Sequence, residues 1–273
     1  GAVRSGAPYS VVLTDRAFGG EPNEITLLTQ LGALAAQFAT PFVAQAQPSL
    51  YLSEDCQSPP PEWQELRSSD AALWVGLVCS TLKMDRADQS LCRVSGVFGL
   101  AARMVSSFRE TGWLAHIAGL RGGGLMDEWW AQLKEDAFVV DEPLTSHEAL
   151  ERAQRGFIVI NQEARDTPPQ VVAPVSIRGF VLPADERRTD LEERSVRRAV
   201  KTLQEQLSYS ILSGRFAHLL QQVALRDDPT SLSSQTEGNV SVQLHDWIRG
   251  FISGDLAGHN VRRRRPLNNA SFK

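Results

Sequence analysis

The stretch Val11–Tyr51 constrains the fold more than any other part of the chain. Its opening run, Val11-Val12-Leu13, has the composition of a short strand and leads into a Gly19-Gly20 turn. Asn23 stands where a helix N-cap would, and Glu24 falls in a first turn whose dipole favours a negative charge. Leu27, Leu28, Leu31, Leu34, Ala35 and Phe38 then recur at helical spacing and make one apolar stripe. Thr40 precedes Pro41, which pushes it out of the α region and stops the helix. A second apolar run, Pro41-Phe42-Val43-Ala44, follows at once. Strand, helix and strand with tight joints predict a βαβ unit with a right-handed crossover, the nucleus of an α/β layer.

The remainder extends that pattern. Ser58-Pro59-Pro60-Pro61 is a stiff connector, and Trp63–Asp70 reads as a short helix. Ala71–Ser80 is nearly all apolar and of strand length, suited to a strand buried on both faces, and Lys83–Ser90 reads as a polar loop. Val94–Arg109 is a helix with Val97, Leu100, Ala101, Met104, Val105 and Phe108 on one face and Gly112 at its C-terminal end. Trp113–Leu120 is expected to return as a buried strand before the Gly122-Gly123-Gly124 loop, and Phe138-Val139-Val140 as a short one. Thr145-Ser146-His147-Glu148 is a capping box opening a helix to about Gln154, with Gly156 ending it and Phe157–Ile160 forming one more strand. The fold class implied is α/β, a mixed, largely parallel sheet covered by helices.

Residues 1–273 read as a single domain, divisible into a sheet-rich part over 1–180 and a helical part over 190–273 with a basic end. From Asp190 to Leu225 two apolar stripes succeed each other. Val200, Leu203, Leu207 and Ile211 form the first, and Leu212, Phe216, Leu219, Leu220 and Val223 the second. The change falls at Ser213-Gly214, so either the helix breaks there or its halves pack on opposite neighbours. The second is favoured, because a glycine costs a helix only about 1 kcal/mol. A shorter helix is expected around Val240–Phe251.

Composition excludes several functions. A net charge of −4 and a pI near 5.8 argue against a dedicated nucleic-acid binder. The three cysteines, Cys56, Cys79 and Cys92, form no C-x-x-C pair and predict no disulfide framework, which suits a reducing cytosol. No apolar run approaches the ~20 residues that span a bilayer, and Gly1–Ser10 has no signal-peptide core. A start without methionine suggests a fragment.

Few motifs point to chemistry. The triple glycine at 122–124 offers backbone N–H groups to a phosphate but is not G-x-G-x-x-G, and no G-K-[ST] follows. His116, His147, His218, His245 and His259 form neither H-E-x-x-H nor a pair with cysteine at ligand spacing, and His116 reads as a hydrogen-bonded core histidine. No serine sits in a G-x-S-x-G elbow. Asp15 lies at a strand end where α/β enzymes place catalytic groups, though a turn-capping role suits it better. Glu135, Asp136, Asp141 and Glu142 flank the Phe138 strand and read as a solvated rim. No catalytic, cofactor or metal residue is therefore expected. The one dense charge run, Arg262-Arg263-Arg264-Arg265, reads as a solvated tail or a patch meeting an acidic neighbour.

A resemblance accounts for this lack of chemistry. The strand ending in Asp15, the Phe18-Gly19 turn, Ala35-Ala36-Gln37-Phe38-Ala39, Pro41-Phe42-Val43-Ala44 and Pro48-Ser49-Leu50-Tyr51 resemble the large contractile-sheath subunit of the bacterial type VI secretion system, the TssC/VipB/ImpC family. Arg67-Ser68-Ser69-Asp70-Ala71, Gly112-Trp113, Gly122–Leu125, Gly156-Phe157-Ile158, Ser213–Leu219 with Arg226-Asp227, Leu244–Ile248 and Arg264-Arg265-Pro266-Leu267 continue it in the family's order. The family's L-P-R motif is replaced here by Val78-Cys79-Ser80-Thr81-Leu82. The resemblance implies a phage tail sheath-like fold and a structural role in the bacterial cytoplasm, with no cofactor, no membrane and no nucleic acid. It also implies a smaller TssB/VipA-like sheath subunit as partner, or other secretion-system components, and the inner tube protein. The family's long N-terminal part and its strands beyond Pro266 have no counterpart here, so the chain is expected to fold yet not form a sheath alone. Two further readings are an adaptor binding a sheath or baseplate partner in a related contractile machine, and a small α/β enzyme using the Asp15 strand end and the triple-glycine loop.

Overall fold

A computed structural model describes residues 8–52, 60–85, 91–119, 123–127, 138–164, 167–179, 206–226, 242, 245–253 and 264–267. Strand β1 (Val12–Phe18), helix α1 (Pro22–Gln37) and strand β2 (Phe42–Ala46) form the expected parallel βαβ unit. The helix is capped differently from expectation. Glu21 is the N-cap and Pro22 takes the first helical position, where its missing N–H costs nothing. Glu24 acts instead as a bracket, its carboxylate accepting from the Gly19 N–H at 2.7 Å. β1 also runs past Asp15, so that residue is exposed mid-strand rather than at a strand end. It lies where the register with β2 slips between Leu13 and Ala17. A bulge on an edge strand leaves such a residue outside the ladder.

The described helices continue with α2 (Pro48–Tyr51) and α3 (Pro61–Ser68). The apolar run after α3 is not one long strand. Asp70–Trp74 is a 3-10 turn packed against α1, and only Val75–Val78 forms strand β3. Continuous apolarity reports burial, not conformation, so the sequence pattern could not divide the run. The polar segment after it is likewise not a loop throughout. Thr81–Asp85 (β4) pairs antiparallel with Leu91–Ser95 (β5). Helix α4 spans Gly96–Thr111, with Ser95 accepting from the Val97 N–H and Gly112 closing the helix at φ 81°. That left-handed turn is open to glycine without steric penalty.

Trp113–Leu120 was expected as a strand, and among its described residues only Ala118 forms a bridge, to Gly123. Side chains of α4 hold this segment instead. Ser107 Oγ donates to the Trp113 carbonyl at 2.6 Å and accepts from the His116 N–H at 3.1 Å, and Thr111 Oγ1 also donates to Trp113 O. Local bonds of this type displace a sheet ladder. Strand β6 (Phe138–Val140) joins β4, giving the order β5-β4-β6. The capping box forms as read, with Thr145 and Glu148 bonding each other's backbone at the start of α5 (Ser146–Gln154). The following run divides at Val159. Strand β7 (Phe157–Ile158) joins β3 in parallel, whereas β8 (Ile160–Asn161) pairs antiparallel with β9 (Gln170–Val171).

The main sheet is therefore parallel, in the order β1-β2-β3-β7, within a mixed α/β fold. Strand periodicity sorts its side chains. Phe42, Ala44 and Leu77 point to a core with Ile25 and Leu28 of α1, and Val43, Val78 and Ile158 to a second core with Leu100 and Met104 of α4. Helix α6 (Leu207–Arg226) runs unbroken through Ser213-Gly214. Leu207 and Ile211 enter the second core, while Phe216 stacks on Trp113 with ring centroids 5.3 Å apart. The two halves thus meet different neighbours, as favoured from the sequence. Its expected first part, over 190–205, lies outside the described residues, as do Asp227 and most of the segment up to 244.

Candidate functional site

Among the described residues, two concave surfaces and one exposed helix face stand out as places where this molecule can meet something else. The first is a polar cleft of about 330 Å³ at the C-terminal ends of β1, β2 and β3, lined among others by Gln47, Tyr51, Cys79, Arg93, Asp141 and Arg152. In open α/β sheets, ligands gather at this end, where the strand order reverses direction. Among the described strands the order runs β1-β2-β3-β7 without reversal, so this cleft does not lie at a switch point between them. The polar groups nearby mostly serve one another. Gln45, nearly fully buried, accepts from Ser95 Oγ at 2.7 Å and from the Gly96 N–H at 3.1 Å, and donates to the Ser80 carbonyl at 3.2 Å. Ser80 Oγ donates to Ile160 O at 2.8 Å and accepts from Ile160 N at 2.9 Å. These bonds tie β2, β3, α4 and β8 together.

Asp141 is not the solvated rim residue expected. Its carboxylate pairs with Lys83 and, at 2.9 Å, with Arg93 Nε, fastening the end of β6 to β4 and β5. Glu142 is exposed, and Glu135 and Asp136 lie outside the described residues. Burial pushes the Cys79 thiol up to about 11 and the Tyr51 phenol up to about 12, so both are neutral at physiological pH. A thiol held in that form is a poor nucleophile.

The second surface is an apolar groove of about 380 Å³ between β1, the C-terminal half of α1 and α6, with Tyr9, Val12, Leu34 and Phe38 exposed around it. Leu34 and Phe38 belong to the stripe read from the sequence, but the fully buried positions of α1 are Ile25 and Leu28 with Gly32 and Ala35 nearby. Of the stripe, Leu28 and Ala35 lie in the core and Leu27 and Leu31 pack against it, while Leu34 and Phe38 at its end are surface. His218 lies at the groove's floor, its Nε2 bonded to Phe38 O at 2.8 Å. Since a carbonyl only accepts, Nε2 carries the proton, and the imidazole satisfies an orphan carbonyl at the end of α1.

The third surface is the outer face of α4, where Phe98, Val105 and Phe108 are each more than half exposed. Their spacing puts all three on one side of the helix. The sequence reading placed Val105 and Phe108 in the core stripe. The structure instead buries Arg103, whose guanidinium bonds Glu110 at 2.8 Å and the Leu125 carbonyl at 3.4 Å.

The remaining candidates are scattered. Arg264 and Arg265 are exposed, with the Arg264 carbonyl accepting from Trp113 Nε1 at 3.0 Å, while Arg262 and Arg263 lie outside the described residues. Gly123 and Gly124 of the triple glycine pack against His116 and Gly119 respectively, and Gly122 is not among the described residues. His116 is half-buried in a turn, not on a strand, and His147 is exposed on α5 beside Glu151. Among the described residues no group of three or more His, Cys, Asp or Glu side chains is placed to hold a metal, and no helix is long and apolar enough to cross a membrane. Sequence reasoning missed Arg67, Arg103 and Arg152. Each sits in a helical pattern where an arginine gives no sign of whether it turns inward.

The fold and these surfaces define a mixed α/β protein with an all-parallel central sheet, two open concavities and an unpartnered apolar helix face. No protein-family model matches the chain. Along 92% of its length it is similar, at 23% identity over 299 residues, to the type VI secretion system sheath protein TssC1 of Pseudomonas aeruginosa strain PAO1. The chain spans 57% of that relative's length.

Proposed function

We propose that this chain is a structural component of a bacterial type VI secretion contractile sheath or a sheath-like assembly, and that it works through protein–protein faces in the cytoplasm rather than through catalysis. The similarity to TssC1, running along 92% of the chain, carries this reading. The surfaces support it. Phe98, Val105 and Phe108 on α4, and Leu34 and Phe38 on α1, are large apolar side chains left in water. Each is already about half covered, so burying the rest would contribute roughly 1 kcal/mol per side chain to association. Subunits that contract must also hold two alternative packings of similar energy, which suits rigid cores carrying separate apolar faces. The partner proposed is a smaller, TssB/VipA-like sheath subunit.

The experiment is co-expression of the tagged chain with that smaller subunit. A stoichiometric complex recovered after a high-salt wash supports the reading. Recovery of the chain alone, with the smaller subunit expressed and soluble, contradicts it.

A further inference from the structure

The polar cleft contains one cation, Arg152, that forms no ion pair with a carboxylate of the described residues. Asp141 holds two cations already, Lys83 and Arg93. Arg152, from α5, stands across the cleft with its guanidinium over the Tyr51 ring, 4.9 Å from the centroid, and no carboxylate of a described residue lies within 4.0 Å of it. Its natural helical partner would be Glu148, four residues earlier. That carboxylate attracts Arg152 only at longer range, because its Oε2 is taken by the Thr145 N–H at 2.9 Å and the Thr145 hydroxyl at 2.8 Å in the capping box. Helix capping therefore keeps Glu148 out of ion-pair contact, and the arginine rests over the Tyr51 ring beside the neutral Cys79 thiol. A half-buried, oriented guanidinium in an open cleft presents a planar fork of donors, the geometry that two carboxylate oxygens match.

We infer that the cleft is a docking point for an acidic side chain of a partner protein, an Asp or Glu carboxylate seated on Arg152. Tyr51 remains a neutral phenol beside it and adds no repulsion, so the opposing charges on the cleft wall are Asp141, already paired twice, and Glu142. The cleft is open to solvent and of side-chain size, which favours a projecting residue over an enclosed small molecule. The inference stands on the cleft alone and holds whether or not the assembly is a sheath.

The test is a titration of the full chain followed by the Nε–Hε NMR signal of Arg152, using the blocked peptide acetyl-Gly-Glu-Asp-Gly-amide, its Gln/Asn counterpart, and inorganic phosphate. The acidic peptide should move the signal saturably, at least tenfold more tightly than the amide peptide, and the response should weaken with added salt. Arg152→Gln, followed by calorimetric titration with the same acidic peptide, should lose the saturable binding that the unaltered chain shows. Asp141→Asn, which removes the competing carboxylate and releases two cations, should strengthen it several-fold and keeps the inference testable if Arg152→Gln fails to fold. Absence of saturation, equal binding of the amide peptide, binding of phosphate as tight as the acidic peptide, or no gain in Asp141→Asn would each overturn it.

Discussion

Gly214 lies against the carbonyl of Ala39, so closely that a Cβ at position 214 would overlap that oxygen. Helix α6 therefore touches the C-terminal end of α1 backbone to backbone, and the contact is flanked by the His218–Phe38 hydrogen bond at 2.8 Å. Ala39 itself adopts φ 48°, a left-handed conformation that a non-glycine residue holds only under constraint. The glycine at the stripe change is thus a packing device and not a helix break.

Gly214→Ala should destabilise the fold by about 1–3 kcal/mol, the usual range for overpacking against an unyielding group. Urea denaturation should show a lower midpoint with an unchanged slope. A variant as stable as the parent would show that α6 does not sit on α1.

Arg67 makes a second long-range tie, donating from Nε to the Ile177 carbonyl at 2.7 Å and from Nη2 to the Arg178 carbonyl at 3.2 Å. Burial lowers its pKa from the ordinary arginine value. Arg67→Leu would leave two acceptors without this donor, at a cost of about 1–3 kcal/mol each where they stay dry. Thermal unfolding should move down by several degrees, and hydrogen exchange around residues 175–179 should quicken.

Alkaline pH should weaken the fold. Cys79 ionises near its usual 9.0 when unfolded but only at about 11 when folded. Between those values the unfolded chain has lost the proton and the folded chain has kept it, so stability present below pH 9 is lost as pH rises towards 11. For the buried thiol the loss reaches about 3 kcal/mol, at 1.36 kcal/mol per unit. Tyr51, with its phenol moved from 10.0 to about 12, continues the loss in the same direction at higher pH. Cys79→Ala should flatten the stability curve between pH 9 and 11, read from denaturant midpoints; an unchanged slope would show that the thiol is not buried.

The outer face of α4 should separate association from stability. Phe98 and Phe108 are exposed, so Phe98→Ser with Phe108→Ser should change the chain's own unfolding by less than about 0.5 kcal/mol per site. Binding to the smaller subunit should fall at least tenfold. Loss of stability without loss of binding would place these side chains in the core.

The legible parts of the fold were those where a local rule leaves one choice. The βαβ unit at the start, the Thr145–Glu148 capping box and the Gly112 turn all follow from neighbours within a few residues. What stayed hidden was decided at long range. Trp113–Leu120 has strand composition, yet Ser107 and Thr111 pin it as a turn. The β4–β5 pairing was masked because Lys83 and Arg93 interrupt the apolar pattern, although Leu82 is fully buried in the second core. The cleft was hidden for the same reason. Nothing local marks Arg152 as facing Tyr51, because the two residues, with 100 others between them, meet only through the parallel sheet.

The most direct test mixes the purified chain with the purified smaller sheath subunit, each monodisperse, and follows sedimentation and electron microscopy. The account predicts a joint species larger than either subunit, assembled in order and weakened by the paired Phe98→Ser and Phe108→Ser change. Two separate monomers at micromolar concentration, with no new species in the micrographs, would contradict it.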